Sequence, residues 1–118
     1  MALSFYWYPQ CGTCKKAKKW LDEQGVAYES IHIVDQPPTK DQLLTFMRAS
    51  GIPAKKFFNT SGKKYRELGM KDKLQDASEE QMAEWLASDG MLIKRPIVTD
   101  GNEVTVGFKE ETFENTWK

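Results

Sequence analysis

Two closely spaced cysteines, Cys11 and Cys14, constrain this chain more than any other feature of its sequence. A secreted disulfide scaffold would need more cysteines, spread further apart. A closed zinc site needs four ligands, and the two cysteines with the single histidine, His32, supply at most three of the usual soft type. A carboxylate could complete such a set, but the spacing favours a redox pair, and we expect no metal and no cofactor.

The composition is that of an ordinary one-domain globular protein. The chain has 118 residues, and its 17 Lys and Arg balance its 17 Asp and Glu. Because the net charge is zero, we expect no direct binding to nucleic acid and no attraction to a membrane surface. No apolar run approaches the roughly 20 residues of a spanning helix, and the N-terminus lacks the features of a signal peptide. A cytoplasmic protein is therefore expected, and we also expect a monomer.

The cysteine pair stands between a predicted strand and a predicted helix. The aromatic run Leu3–Tyr8 is typical of a buried strand, which Pro9 ends. Residues 15–24 have the apolar spacing of a helix, and Gly25 is a natural C-terminal stop. The residues that share its apolar face are Cys14, Ala17, Trp20 and Leu21.

A second strand, Tyr28–Val34, precedes a largely helical stretch at about 39–90. Within that stretch, Thr39–Gln42 and Ser78–Gln81 have the form of capping boxes, and residues 65–74 are predicted as a short helix. The residues predicted to face inward on the last helix of the stretch are Met82, Trp85 and Leu86.

The C-terminal part is predicted to be a hairpin followed by a helix. Met91–Thr99 is a strand interrupted by Pro96, and Asp100–Asn102 has the composition of a hairpin turn. Val104–Phe108 is the returning strand, and Glu110–Trp117 is the terminal helix.

The resulting order is β-α-β-α, a helical insert, then β-β-α. A βαβ unit has parallel strands and a right-handed crossover, whereas the hairpin is antiparallel. With a dithiol where the first strand meets the first helix, this order predicts an α/β protein with a thioredoxin-like fold. We expect a single domain over residues 1–118, built on a mixed four-stranded sheet flanked by helices, with the insertion at about 39–90.

The predicted position of Cys11 at a helix start gives the cysteines different roles. A helix N-terminus carries about half a positive charge and unpaired N–H donors, which stabilise a thiolate and lower its pKa. Cys11 is therefore expected to attack, and Cys14, more buried on the first turn, to resolve the mixed disulfide. The alternative is a pair of inert buried thiols. The lysines that follow and add positive potential are Lys15, Lys16, Lys18 and Lys19.

Other candidate residues have simpler interpretations. His32 is interpreted as a partly exposed strand residue rather than a catalytic base or a ligand. The aromatic residues Tyr6, Trp7 and Tyr8 could line a substrate surface, but most of them are expected in the core.

Three segments together carry a resemblance to a known family. They are Tyr8–Cys14, Tyr65–Gly69 and Met91–Val98, and Val106–Glu111 adds to them. In this order the chain resembles the ArsC/Spx/MgsR family, a thioredoxin-fold group with a helical insertion, over essentially its whole length.

The resemblance implies roles for individual residues. Cys11 matches the family's reactive cysteine, Arg95 the arginine that faces it, and Pro96 the proline held cis beside the active site. Gly12 and Thr13 occupy the support positions between the cysteines. An arginine is always charged, so near Cys11 it would hold a thiolate or an oxyanion by a bidentate contact.

The chain also departs from one branch of that family. The glutaredoxin-coupled arsenate reductases use one active-site cysteine and three arginines around the oxyanion. Here Asn59 stands where the second arginine is expected, and Phe108, followed by Lys109, stands where the third belongs. Cys14 is the mark of the Spx/MgsR-type branch.

Three functions follow, in order of preference. The first is a thiol–disulfide oxidoreductase or redox sensor that cycles a Cys11–Cys14 disulfide, with a thiol reductant or a protein thiol as partner. The second is an Spx-like transcriptional regulator that binds the C-terminal domain of the RNA polymerase α-subunit through the surface around Gly51. The third is an arsenate reductase.

Overall fold

The computed structural model describes residues 3–118, which divide into two compact units. One unit contains the described residues up to His32 together with Arg95–Lys118, and the other is Ile33–Lys94. The second unit contains the whole of the predicted helical insertion. None of the helices within residues 3–118 combines the length and the apolar character needed to cross a membrane.

The first unit is built on a mixed four-stranded sheet in the order β2-β1-β3-β4. β1 pairs with β2 in parallel and with β3 antiparallel, and β3 pairs with β4 antiparallel. This is the mixed sheet that the sequence predicted. The strands and helices of the unit are β1 (Leu3–Trp7), α1 (Gly12–Glu23), β2 (Tyr28–His32), β3 (Ile97–Thr99), β4 (Val104–Val106) and α6 (Glu110–Trp117).

The strand predicted over 91–99 is much shorter in the structure. Gly90–Leu92 form a 3₁₀ helix, Ile93 makes one isolated bridge to Phe58, and β3 begins only at Ile97. The physical reason is Pro96, which has no N–H to donate to a ladder and so marks where the regular strand can begin. Its carbonyl still accepts a hydrogen bond from the N–H of Gly107, at 2.8 Å.

A continuous apolar cluster joins the sheet and the two helices of the first unit. Phe5, Leu21 and Phe113 are completely buried in it, and the rings of Trp20 and Phe113 meet edge to face at 5.4 Å. The predicted apolar face of α1 is confirmed, because Cys14, Ala17, Trp20 and Leu21 are all buried. This packing holds α1 against β1.

The second unit consists of short helices. The predicted capping box at Thr39–Gln42 is present, and the Ser78 side chain accepts a hydrogen bond from the N–H of Gln81. The single helix predicted over 65–74 is two helices, because Gly69 adopts a left-handed conformation (φ 64°) between them. The helices of this unit are α2 (Lys40–Ser50), α3 (Lys63–Glu67), α4 (Met70–Lys73) and α5 (Glu79–Ser88), with 3₁₀ turns at Ala54–Phe57 and Gly90–Leu92.

α2 and α5 pack against each other through their apolar faces. The buried residues of these faces are Leu43, Phe46 and Met47 on α2 and Met82, Ala83 and Leu86 on α5. Met82 and Leu86 were predicted to face inward. Trp85 was also predicted there but is only half-buried, and the small Ala83 takes the interior position instead.

The close approach at Gly90 gives a stability prediction. A β-carbon at this position would overlap the carbonyl oxygen of Ile33, which is backbone and cannot swing aside. We expect Gly90→Ala to cost about 2–3 kcal/mol in the free energy of unfolding, measured by urea titration. Gly12→Ala is the matched control, because the added carbon meets open space beyond its own helix, and it should leave stability nearly unchanged. Equal unfolding midpoints for the two variants would contradict the prediction.

Candidate dithiol active site

Cys11 is the N-cap residue of α1. Its backbone is extended (φ −89°, ψ 119°), and its Sγ accepts a hydrogen bond from the N–H of Cys14 at 3.4 Å. Its own N–H donates to the carbonyl of Tyr8 at 2.9 Å, which closes the turn between β1 and the helix. The side chain is partly exposed, so a reactant can reach the sulfur.

Cys14 lies on the first turn of α1 and is completely buried. Both cysteines are free thiols in this structure. The two sulfurs therefore differ in access, although they are three residues apart on the same turn.

The surroundings of Cys11 favour its thiolate. Burial by itself would raise the pKa of this thiol, but hydrogen bonds from the backbone and side chain of Cys14 lower it, as do a hydrogen bond and the positive charge of Arg95. The balance holds the pKa of Cys11 below its ordinary value of 9.0. A thiolate at this position is the nucleophilic form of cysteine.

Cys14 is held as a neutral thiol. Burial is the main cause and, with the neighbouring Cys11, raises the pKa of Cys14 to about 12, although a hydrogen bond from the backbone of Tyr8 and the charge of Arg95 act in the opposite direction. The pKa of Cys11 is thus below the ordinary thiol value, and the pKa of Cys14 is above it. This asymmetry is what a nucleophile and a resolving thiol require.

Arg95 reaches Cys11 from the loop before β3. Its guanidinium lies over the ring of Tyr8, 5.1 Å from the ring centroid, and hydrogen-bonds the sulfur of Cys11. The Arg95–Pro96 peptide bond is cis, and Pro96 is buried. All four of these residues were candidate site residues in the sequence, and all belong to the first unit: Cys11, Cys14, Arg95 and Pro96.

Gly12 and Thr13 are exposed on the first turn of α1. A β-carbon added at Gly12 would meet open space. Gly51, the suggested partner contact, belongs to the second unit, where it ends α2 in a left-handed conformation (φ 68°) and is exposed. The roles assigned to these residues from the sequence remain predictions.

Tyr8 is one of the three aromatic residues for which the sequence allowed either a place in the core or a place at a substrate surface. In the structure it is partly exposed beyond the last residue of β1, and its ring contacts both the guanidinium of Arg95 and the ring of His32 (ring centroids 5.6 Å apart). The signal that could have found it is the register of β1 and β3: Tyr6 pairs with Ile97, and two further residues along an antiparallel register bring Tyr8 opposite Arg95. That register is not readable from one sequence.

Metal binding has no support among the described residues. Residues 3–118 contain no group of three or more His, Cys, Asp or Glu side chains placed to hold an ion. His32, the third soft ligand considered, is a half-buried residue at the end of β2.

A thioredoxin-like α/β fold with a dithiol where β1 meets α1 defines the class of protein. The model of the ArsC family matches residues 6–116, and the chain belongs to the ArsC family. Among curated relatives, the uncharacterized protein YusI of Bacillus subtilis (strain 168) is 62% identical over 117 residues, which is 99% of each chain. The global transcriptional regulator Spx of Streptococcus agalactiae serotype V is 26% identical over 109 residues, covering 92% of this chain and 78% of Spx.

Solved structures agree with this assignment. An ArsC family related protein from Bacteroides fragilis has a TM-score of 0.94 and 47% identity, covering 98% of this chain and 97% of that one. A possible arsenate reductase from Streptococcus mutans UA159 has a TM-score of 0.88 and 43% identity, covering 95% of this chain and 97% of that one. The fold predicted from the sequence is confirmed.

The asymmetry of the two thiols gives the second prediction. In Cys14→Ser, the rate of Cys11 alkylation by iodoacetamide should reach half its plateau at a pH below 9, because the helix N-terminus and Arg95 stabilise the thiolate. In Cys11→Ser, the buried Cys14 should react far more slowly over the same pH range. A lower half-plateau pH for Cys14 would reverse the assignment of nucleophile and resolving thiol.

Proposed function

We propose that this protein is a thiol–disulfide redox protein that cycles a Cys11–Cys14 disulfide, as an oxidoreductase or a redox sensor. The observation that carries the proposal is the difference between the two thiols: Cys11 is accessible with a lowered pKa, and Cys14 is buried with a raised one. Membership of the ArsC family supports thiol chemistry in general.

The first step of the cycle is attack by the Cys11 thiolate on a disulfide of the partner. A bond forms between Cys11 Sγ and one partner sulfur, and the other partner sulfur leaves as a thiolate. Arg95 favours this step by stabilising the thiolate before attack.

The second step is resolution by Cys14. While Cys11 is a thiolate, its charge and hydrogen bond help to keep Cys14 protonated. Once Cys11 is bonded to the partner, that charge is gone, so the pKa of Cys14 falls and its proton can pass to the leaving thiolate. Cys14 then attacks Cys11 Sγ, and the partner departs with both sulfurs reduced while the protein carries the disulfide. A thiol reductant of the cell restores the dithiol.

A second candidate function is transcriptional regulation. The observation that favours it is the similarity to proteins named global transcriptional regulator Spx over 92% of this chain. On this proposal the partner is the C-terminal domain of the RNA polymerase α-subunit, and the exposed end of α2 at Gly51 supplies the contact. The Cys11–Cys14 disulfide would then regulate binding to the RNA polymerase α-subunit rather than take part in catalysis.

Arsenate reduction is the least supported function. Oxyanion catalysis needs preorganised positive donors, and Arg95 is the only one of the three expected arginines in this sequence. Phe108 packs edge to face on Phe113, with ring centroids 4.8 Å apart, so it is a packing residue that offers no donor. Asn59 has a neutral amide where the guanidinium of an arginine, a charged bidentate donor, is expected.

The disulfide itself is the third prediction. Mild oxidation of the full chain should remove both thiols from alkylation, with no covalent dimer seen by mass spectrometry. Cys14→Ser should then trap mixed disulfides with protein partners in a cell lysate, whereas Cys11→Ser, the matched control, should trap none.

The trapped proteins discriminate between the candidates. Recovery of thiol proteins through Cys11 supports the redox function, and recovery of RNA polymerase supports the regulator. If both thiols remain alkylatable after oxidation, or only intermolecular dimers form, the redox proposal is wrong.

The fourth prediction is slow arsenate turnover. Each missing arginine removes charge-assisted hydrogen bonds worth about 1.5–3 kcal/mol, so each position should lower the rate by one to two powers of ten. The assay uses glutaredoxin or thioredoxin as reductant, beside an arsenate reductase that has all three arginines. Comparable rates for the two proteins would make arsenate reduction the leading function.

A further inference from the structure

The ring of Tyr8 lies where it can restrict the orientation of the Arg95 guanidinium. The guanidinium lies over this ring at 5.1 Å from the centroid, and the Tyr8 hydroxyl donates a hydrogen bond to the side-chain oxygen of Gln10 at 3.0 Å. The Tyr8 ring also makes an edge-to-face contact with the ring of His32, with centroids 5.6 Å apart. A planar guanidinium stacks well on an aromatic face, and both groups here are flat and partly exposed.

Arg95 needs such a support. A long side chain that must stay beside one sulfur loses rotamer freedom, and a partly exposed guanidinium can be drawn away by water. A ring beneath the guanidinium limits its orientations without competing for its hydrogen-bond donors. The donors then remain available to Cys11.

We propose that Tyr8 is a positioning residue whose ring holds the Arg95 guanidinium beside the Cys11 sulfur. The inference rests on the proposed thiol chemistry, in which Arg95 acts on Cys11 and Tyr8 acts only through Arg95.

The backbone of Tyr8 has a separate role that any residue at this position keeps. Its carbonyl accepts the N–H of Cys11 at 2.9 Å, and its main chain hydrogen-bonds Cys14. Side-chain variants of Tyr8 therefore remove the ring and leave the main-chain contacts to both cysteines in place. This makes the role of the ring separable by experiment.

The experiment compares Tyr8→Leu with Tyr8→Phe, which keeps the ring and loses only the hydroxyl. The reduced protein is alkylated with iodoacetamide as a function of pH, and modification of Cys11 is followed by mass spectrometry. We expect Tyr8→Leu to raise the half-plateau pH by roughly half a unit, which leaves about threefold less thiolate at neutral pH. Tyr8→Phe should restore the wild-type curve.

The titratable groups that act on Cys11 are Cys14, on the same helix, and Arg95, before β3. Arg95→Gln should shift the curve upward, and adding Tyr8→Leu to it should cause no further shift, because the ring acts through the guanidinium. His32, whose ring contacts that of Tyr8, is retained in every variant.

Tyr28→Leu is the matched control. Its ring also lies beneath a cation, Lys18, with Nζ 5.5 Å from the centroid, but Tyr28 is not among the groups that shift the pKa of Cys11 or Cys14. This variant should leave the alkylation curve of Cys11 unchanged.

Three results would overturn the proposal: no shift in Tyr8→Leu, equal shifts in Tyr8→Leu and Tyr8→Phe, or additive shifts in the double variant. If Tyr8→Leu does not fold, NMR of the wild type decides instead, since the Arg95 Hε resonance must then be shifted upfield by the ring. A resonance at the position of a free arginine would equally overturn the proposal. Alkylation of the reduced protein needs no partner and no disulfide, so these results are independent of whether the Cys11–Cys14 cycle operates.

Discussion

The hydrogen bond from the N–H of Cys14 to the sulfur of Cys11 is the contact on which the site depends. A helix N-cap is usually filled by an oxygen acceptor, and a thiol is a weak substitute. A thiolate is a much better one, because it satisfies the free N–H groups and meets the positive end of the helix dipole. α1 has no acidic residue in its first turn, so the sulfur supplies the negative charge at this end. Helix capping and stabilisation of the Cys11 thiolate are therefore one interaction.

The hydrophobic packing around α1 creates the difference between the two thiols. Cys14 lies on the same buried face as Ala17 and Leu21, and the apolar cluster that contains those two residues anchors this face to the sheet. Cys11, one turn earlier, is at the rim of this packing and stays accessible. The helical repeat that builds the core thus also decides which sulfur is accessible and which one is buried.

Apolar packing also distinguishes this chain from the oxyanion-binding branch of the family. Where a third arginine would be expected, Phe108 lies against Phe113 and extends the apolar packing of the first unit. Charge is concentrated in one arginine that faces one sulfur, which suits a thiolate better than a tetrahedral oxyanion.

The sequence by itself determined the features that depend on local periodicity. Spacings of two to four residues predict these features, because backbone geometry repeats over those distances. They include the buried face of α1 with Cys14 and Trp20, the capping box at Thr39–Gln42 and the order of helices and strands. The position of the dithiol at a helix start follows from the same local signals.

The tertiary structure decided whatever requires distant residues to meet. The pairing of Tyr6 with Ile97 fixes the register that brings Tyr8 opposite Arg95, and no local spacing encodes it. Two boundaries also depend on the folded chain. The β3 ladder begins at Ile97 because of its hydrogen bonding, and α3 and α4 are separated at Gly69 because of its backbone conformation. The cysteines could be found from local spacing and Arg95 from the family resemblance. The placement of this arginine and of the aromatic ring beside the dithiol is decided by strand pairing, since side-chain contacts across a sheet depend on register.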